Sequence, residues 1–511
     1  MNGQASLGQA RWGRQDFLAA GILILFTLFS VSRFPFLPQF LDAYYHLACA
    51  NGFLKSGGWC GVDWWSVAPV GRFHLYPPVY HLVLAGMRAA GFDGLTAVRL
   101  TEVAIVPVFF AGLWVAGRAL VSASFGLFLL VFSVSFFPFY TSAVGQIPAT
   151  MATLLGVFAW LAVRRGRTVS AAVALGASFY THGAVPWLFV SSLLCLAVCE
   201  PGLRKRACAA VGGGILLGVP FLLHLAVHLP WLRAAVTGEG GFCRWNLVVL
   251  ACAVAAVPVC GKNNRWLVAL ACGHIAGSIL VFSHYPYRLF CAQGVFGFFV
   301  LASAFFSQVF AAPRRSAFAG AAVAFILICS PSLVLRDGKV RLRVVDSSLA
   351  TMMRGNFGDF IENESLYSER FFRPLVEAIT QNTKPDDIVG SPHRVIAAIF
   401  AALADRPSSQ SLVDEVPPFV RRYPSVFFSR AVLWTPADGA LPAEASRKGV
   451  SGPAWRLVAA NDFAAVYIHE RGGSVRPAPA TVPFGVIWLC AGAAVAAVAA
   501  EFLMHRRRAP R

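Results

Sequence analysis

The chain has 511 residues, of which 57% are hydrophobic and 13% charged, where an average soluble domain carries about 25% charged residues. Together with a mean hydropathy of +0.64, this composition excludes an ordinary soluble enzyme, a disordered protein and a nucleic-acid binder, each of which needs more polar surface. The net charge of +19 sits largely in short basic loops between apolar runs, the pattern of a polytopic membrane protein whose Lys and Arg stay cytoplasmic and meet anionic lipid.

A bilayer core of about 30 Å takes roughly 20 apolar residues per helical crossing. Arg11 and Arg14 hold the N-terminus in the cytoplasm, and Phe17 to Leu37 crosses outward as an uncleaved signal anchor. Residues 38–96 are too polar and too rich in Trp, Tyr and Pro to span, so they form a long external loop. Its apolar run Val79 to Ala90 is short and reads as an interfacial or re-entrant helix. Residues 97–117 then cross inward to Arg118, 119–140 outward, and 145–163 inward to Arg164, Arg165 and Arg167. A helical hairpin over 168–199 turns near His182 and Gly183 and ends at Arg204, Lys205 and Arg206. Residues 207–229 go out, 245–260 return to Lys262 and Arg265, and 266–283 go out to the tight turn His284-Tyr-Pro-Tyr-Arg288. Residues 289–311 return to Arg314 and Arg315, 316–334 exit, and a last helix, 483–504, comes back to Arg506, Arg507 and Arg508. The fold class is therefore an α-helical polytopic membrane protein of about twelve spans, with every strongly basic short loop on one side.

Between the last two spans, residues 335–482 have an ordinary charge density and read as a small α/β extracytoplasmic domain. Asp387 to Gly390 and Ala431 to Trp434 are expected strands, His393 to Leu403 an amphipathic helix, and Trp455 to Ile468 a hairpin around Asn461 and Asp462. The chain thus divides into a transmembrane module, 1–334, the external domain, 335–482, and a final helix with a basic tail, 483–511. Most of the 12 cysteines lie in apolar runs as small hydrophobes, without metal-ligand spacing. A Cys49–Cys60 disulfide is open to the chain in an oxidising compartment.

The first external loop concentrates reactive side chains: Asp42-Ala-Tyr-Tyr-His46, then Asp63-Trp64-Trp65, then Arg72-Phe-His74-Leu-Tyr76-Pro77-Pro78-Val-Tyr80-His81. In a helical turn, Asp42 and His46 share a face, where a carboxylate and an imidazole hold one metal or one substrate hydroxyl. Asp42 in that position also serves as general base; the alternative reading is a helix N-cap. Within the span 97–117, Glu102 is an intramembrane acid with Arg99, one turn earlier, as its expected partner. Outside, Glu362, Glu364 and Glu369 lie near Arg370 and Arg373, over the mouth of the first loop or on a solvated helix face.

The order of cytoplasmic start, one helix, a loop opening with Asp42-Ala-Tyr-Tyr-His46, and then Tyr76-Pro77-Pro78 before a short apolar helix resembles the GT-C superfamily of integral-membrane glycosyltransferases. The first stretch is similar to the acidic motif of oligosaccharyltransferase catalytic subunits, the second to the His-Pro-Pro-Leu element of protein O-mannosyltransferases, and the likeness covers residues 1–165. It implies Asp42 as catalytic or metal-binding carboxylate, His46 beside the donor phosphate or a divalent cation (Mg or Mn), and Arg288 against the lipid phosphate. A guanidinium grips phosphate in bidentate fashion, and Arg72 is a second candidate for that role. Tyr44, Tyr45, His74, Tyr76 and His81 complete the expected substrate loop. The stretch Tyr140 to Pro148 has Gln146 where the oligosaccharyltransferase branch carries a second acid, and the Trp-Trp-Asp-Tyr-Gly signature is missing from 335–482.

The implied function is transfer of a sugar from a polyprenyl-phosphate donor to a glycan, lipid or protein acceptor. The high Arg and Ala content points to a bacterial inner (plasma) membrane, with the active site facing the periplasm or exterior; an endoplasmic lumen is the alternative. The alternative is a transporter or flippase of lipid-linked sugars, which usually carries midplane charges in two related halves. The spans here hold almost no acid besides Glu102, with Glu501 near a cytoplasmic end.

Overall fold

The computed structural model describes residues 12–38, 40–228, 243–260, 264–311, 318–336, 338–354, 369–411, 429–435, 455–470 and 472–508. Arg11, Lys262, Arg314, Arg315, Glu362 and Glu364, named above from the sequence, lie outside the described residues.

The chain is an integral membrane protein. Among the described residues, seven helices are long and apolar enough to cross a bilayer: Arg14–Ser32, Gly94–Leu120, Ile147–Arg164, Pro201–Val227, Arg265–Phe282, Pro286–Val309 and Phe484–His505. Five shorter apolar helices, Ala123–Ser135, Thr168–Phe179, Val185–Cys199, Leu247–Cys260 and Ala319–Ile328, fill the places of the remaining expected spans. In chain order, α1 is Arg14–Ser32, α2 Leu41–Ser56, α3 Val79–Ala89, α4 Gly94–Leu120, α5 Ala123–Ser135, α6 Phe137–Gly145, α7 Ile147–Arg164, α8 Thr168–Phe179, α9 Val185–Cys199 and α10 Pro201–Val227. The sequence sets their ends: the Asp93 carboxylate accepts from Thr96 N at 3.0 Å to start α4, and Ser122 Oγ accepts from Phe125 N at 3.1 Å to start α5. The expected crossing 119–140 is split: Phe136 turns extended and closes α5, and α6 begins afresh with Pro138 in its first turn, where the missing N–H costs no intrahelical bond.

The first external loop is a folded unit rather than a loop. α2 ends at Gly57, which adopts φ +80° to close the helix. Strand β1 is Gly58–Trp59, and β2 (Val62–Asp63) pairs antiparallel with β3 (Arg72–Phe73). The short apolar run after Pro78 is helix α3, as its length predicts.

The external polypeptide reaches further into the chain than 335–482. Strand β4 (Cys243–Asn246) pairs with β5 (Ser332–Arg336), which pairs with β6 (Lys339–Arg343). The boundary expected at 334 therefore falls inside a strand. The helix expected over 316–334 is described from Ala319 and ends at Ile328. Beyond it, β7 (Val389–Gly390), β8 (Ala431–Trp434), β9 (Trp455–Ala460) and β10 (Ala465–His469) form one sheet in the order β7-β8-β10-β9. The helix Arg394–Leu403 lies between β7 and β8 in sequence, and those two strands run parallel. The external unit docks on the first loop: Asn51 Nδ2 donates to Ala402 O at 3.2 Å, Ser408 N to Trp65 O at 2.8 Å, and β1 pairs with β11 (Val482–Pro483).

Arg99 does not pair with Glu102. Its guanidinium donates to the carbonyls of Pro35 and Phe36 and to Glu369 Oε2 at 3.0 Å, tying α4 to the external helix Glu369–Asn382. Two main-chain carbonyls and an external carboxylate outcompete a neighbour one turn away, because that turn lies at the membrane end where the external unit descends. Glu102 instead lines a small cavity with Arg33, Tyr140 and Thr141.

Candidate functional site

The end of the bundle assigned to the exterior is where the unusual residues gather. α2 carries Asp42, Tyr44, Tyr45, His46 and Cys49. Asp42 stands in the first turn with Phe40 as N-cap, so the capping alternative does not hold. Asp42 is exposed, whereas Tyr44, Tyr45 and His46 are buried. The spacing of Asp42 and His46 on one helix is as expected, but His46 turns inward: its Nδ1 lies 2.8 Å from His81 Nε2, with the rings of Tyr76 and Tyr80 edge-on at 5.1 and 5.0 Å. His74 packs against His81 with ring centres 5.1 Å apart, and both rings have no exposure at all. Burial in an apolar shell opposes protonation, and it pushes His46 and His74 each down to about 3. All three imidazoles of this group are therefore neutral at physiological pH.

Arg72 is placed by β3 against Asp63 on β2, at 3.0 Å, and its side chain has no exposure. The same guanidinium donates to Tyr45 Oη at 2.8 Å and lies 5.1 Å from that ring's centre. Asp63 in turn accepts from Trp65 N and Ser66 N at 3.0 and 3.1 Å. Arg72 thus belongs to the core of the first loop. Cys49 Sγ is 3.8 Å from Asp63 Oδ2 and from Arg72 Nη2, while Cys60 Sγ faces Gly58 O. Both cysteines are free, so the disulfide considered from sequence does not form.

Arg288 has a different setting. It lies in the short helix Pro286–Phe290, with its guanidinium 5.6 Å from the centre of the Tyr285 ring. Its Nη1 is buried and has no hydrogen-bond partner. The neighbouring Tyr287 hydroxyl is 2.9 Å from Ser142 Oγ, and Gln293 Nε2 donates to Gln146 Oε1 at 3.1 Å. Facing this turn is His182, in the bend between α8 and α9. Burial first, then the charge of Arg288 and the proximity of His46, push it down to about 3. Its Nδ1 accepts from Ala184 N and Val185 N at 3.1 and 3.2 Å, which leaves the ring proton on Nε2. The Tyr76 ring is 6.4 Å from His182 and 5.1 Å from His46. Arg288, His182, Tyr76 and His46 therefore converge from four separate segments. From sequence His182 marks only the turn of the hairpin 168–199; an imidazole at that tip is the signal that points further.

A hard cation such as Mg or Mn requires several oxygen ligands. Among the described residues, Asp42 and His46 belong to no group of three potential ligands. His46 offers a nitrogen already bonded to His81.

No protein-family model matches the chain, and no curated protein sequence does. Among solved structures the chain is similar to ArnT from Cupriavidus metallidurans bound to undecaprenyl phosphate, with a TM-score of 0.53 and 13% identity over 88% of this chain and 97% of that one. It is also similar to the oligosaccharyltransferase AglB from Archaeoglobus fulgidus, in complex with an inhibitory peptide and a dolichol-phosphate. There the TM-score is 0.52 and the identity 10%, over 82% of this chain and 70% of that one. At such identities the likeness is one of fold, and the resemblance carried by residues 1–165 extends over most of the chain. The protein thus shares its polytopic membrane fold with ArnT and AglB.

Proposed function

We propose that the protein is a glycosyltransferase that takes a sugar from a polyprenyl-phosphate donor at the extracytoplasmic end of the bundle and passes it to a glycan, lipid or protein acceptor. The observation that carries this reading is Arg288: a buried guanidinium nitrogen without a hydrogen-bond partner, at the start of the apolar helical segment Pro286–Val309. Leaving such a group unsatisfied costs about 1–3 kcal/mol or more, and an anionic phosphate is the ligand that removes the cost. The two similar structures hold undecaprenyl phosphate and dolichol-phosphate, which suits an isoprenoid carrier.

In this reading Arg288 binds the donor phosphate, the Nε2 proton of His182 is a second donor to it, and Tyr76 flanks the sugar. Asp42, exposed at the start of α2, accepts the proton of the acceptor hydroxyl. The acceptor oxygen bonds to the anomeric carbon as the bond from that carbon to the phosphate oxygen breaks, inverting the configuration. The electron pair leaves with the polyprenyl phosphate, whose charge Arg288 balances. No step requires a metal.

The test uses purified protein, a panel of polyprenyl monophosphate and diphosphate sugars, and membrane extract as acceptor, with the released lipid followed by mass spectrometry. Asp42→Asn is expected to lower kcat by about 10²–10⁴-fold. Arg288→Ala is expected to lower kcat/KM for the donor by about 10²-fold, through loss of a charged hydrogen bond. Unchanged kinetics in both variants, or no lipid released by the wild type across the panel, would sink the assignment.

A further inference from the structure

We propose that Cys49, His74 and His81 form a buried transition-metal site, built for zinc, that staples the first external unit together. One ligand atom from each of the three lies within 4.8 Å of the others, and all three residues are buried. They come from three pieces of chain: Cys49 from α2, His74 from the segment after β3, and His81 from α3.

Three observations point to a ligand rather than to a packed core. Both ring nitrogens of His74 are buried without a hydrogen-bond partner, and so is Nδ1 of His81. Both histidines are 0% exposed. Buried polar groups are almost always satisfied, and an orphaned one is costly; a cation bound by one nitrogen of each ring and by the Cys49 sulfur removes that cost for one nitrogen of His74 and one of His81.

The second observation is the support behind the ligands. His81 Nε2 is engaged with His46 Nδ1 at 2.8 Å, the kind of outer bond that fixes the tautomer of a metal-binding imidazole and turns its other nitrogen toward the ion. Asp63 and Arg72 flank the Cys49 sulfur at 3.8 Å each. Their charges cancel, so a thiolate and a divalent ion add only one net positive charge.

The third is donor chemistry. Two imidazoles and a thiolate suit zinc, and suit copper(I) in the same way, but not Mg or Mn. Zinc bonds of about 2.0–2.3 Å bring ligand atoms to roughly 3.5 Å of one another, which small rotamer shifts achieve from the observed spacing. On binding, the Cys49 thiol gives up its proton to solvent and the sulfur bonds to the ion. The three ligands belong to the first unit, with His46 one contact behind His81, and they leave the fourth position of the ion to water. The argument for the site rests on no part of the glycosyl-transfer reading.

The test measures metal in the full-length protein, stripped with chelator in detergent and then offered zinc(II) or copper(I) alone. The wild type is expected to retain about one equivalent of zinc, and Cys49→Ser and His74→Gln to retain at least about tenfold less. His46→Ala, behind the ligands, is expected to keep the stoichiometry with an affinity about 10- to 100-fold weaker. Cobalt(II) in the wild type should show thiolate-to-cobalt charge-transfer absorption that Cys49→Ser lacks. A readout independent of any variant is the thermal midpoint of the wild type, which should fall on chelation and recover with zinc. Retention of copper(I) with refusal of zinc overturns the zinc assignment. Equal metal content in wild type and ligand variants, or a midpoint indifferent to the chelator, overturns the site.

Discussion

Two arginines of the same type, Arg72 and Arg288, have opposite circumstances, and their neighbours decide the difference. Arg72 is held by Asp63 with both side chains nearly unexposed. Removing one partner of such a pair leaves a bare buried charge, so Asp63→Asn is expected to destabilise the protein by about 3–5 kcal/mol. Replacing both residues by apolar ones of similar volume should restore most of that stability in denaturant or thermal unfolding; a single variant within about 1 kcal/mol of wild type would refute the account. His182 gives a pH dependence with a definite sign. Its folded value of about 3 against an ordinary 6.5 means that the unfolded chain binds the extra proton in that window. Stability contributed by the neutral ring is complete above pH 6.5 and is lost as the pH falls toward 3, by about 1.4 kcal/mol per pH unit. His182→Asn should therefore show a shallower loss of stability between pH 6.5 and 5 than the wild type, and equal slopes would count against it. From sequence, the chemistry of Asp42, His46 and Arg288 was legible as residue types near a membrane end. That Arg72 faces Asp63 was not, because residue type says nothing about where the counter-charge stands.

Among the elements, those fixed by local pattern came through: the hairpin 168–199 with its bend at His182, the short helix α3, the helix after His393, and the hairpin Trp455–His469 around Asn461 and Asp462. Each rests on periodicity, a capping residue or a turn pair within a dozen residues. The helix α2 was foreseen only as one turn, since its mixed polar and aromatic residues lack an apolar stripe until the external unit covers them. How tightly elements approach is a matter of glycine. A Cβ at Gly126 would stand 2.6 Å from Trp114 O and 2.8 Å from Arg118 N, main-chain atoms that cannot yield locally. α4 and α5 cross there because the side chain is absent. Gly126→Val is expected to cost about 1–3 kcal/mol through forced separation of the two helices, read as a lowered thermal midpoint, whereas Gly86→Ala, with open space around its Cβ position, should leave the midpoint nearly unchanged.

At the scale of the molecule, contacts sort the segments by the end of the bundle that they share. Arg118 pairs with Asp16 at 2.9 Å, Glu501 accepts from Val169 N and Ser170 N at 2.9 and 2.7 Å, and Arg164 lies over Trp266 at 4.8 Å. These join segments all assigned to the basic side. At the other end His224 meets the carbonyl of His74, Tyr287 meets Ser142, and Arg244 meets Asp346 at 3.4 Å, joining segments all assigned to the exterior. The external unit is tied to the bundle by Arg99 and by Asp405, which pairs with Lys55 and Arg88 at 3.6 and 3.3 Å. Arg99→Met strands two carbonyls and Glu369 together, and is expected to cost about 2–3 kcal/mol. Glu369→Gln removes one half-exposed partner and should cost less than about 1 kcal/mol. Limited proteolysis of the external unit should rank them in that order; the reverse order would show that Arg99 is not the tether.

What the residues alone made legible were the apolar helices, the strand Ala431–Trp434, the hairpin around Asn461 and Asp462, and the residue types of the reactive loop. Bilayer thickness, exclusion of charge and period-by-period burial act on each segment separately, so about twenty residues contain the answer for each. Tertiary structure alone decided that the first loop and the external polypeptide are one body, that Arg99 reaches Glu369, that His182 joins Arg288 and Tyr76, and that Cys49, His74 and His81 meet. Those outcomes depend on which side chains share a buried, low-dielectric space, where a missing partner costs most, and the residues that share it lie tens to hundreds of positions apart along the chain.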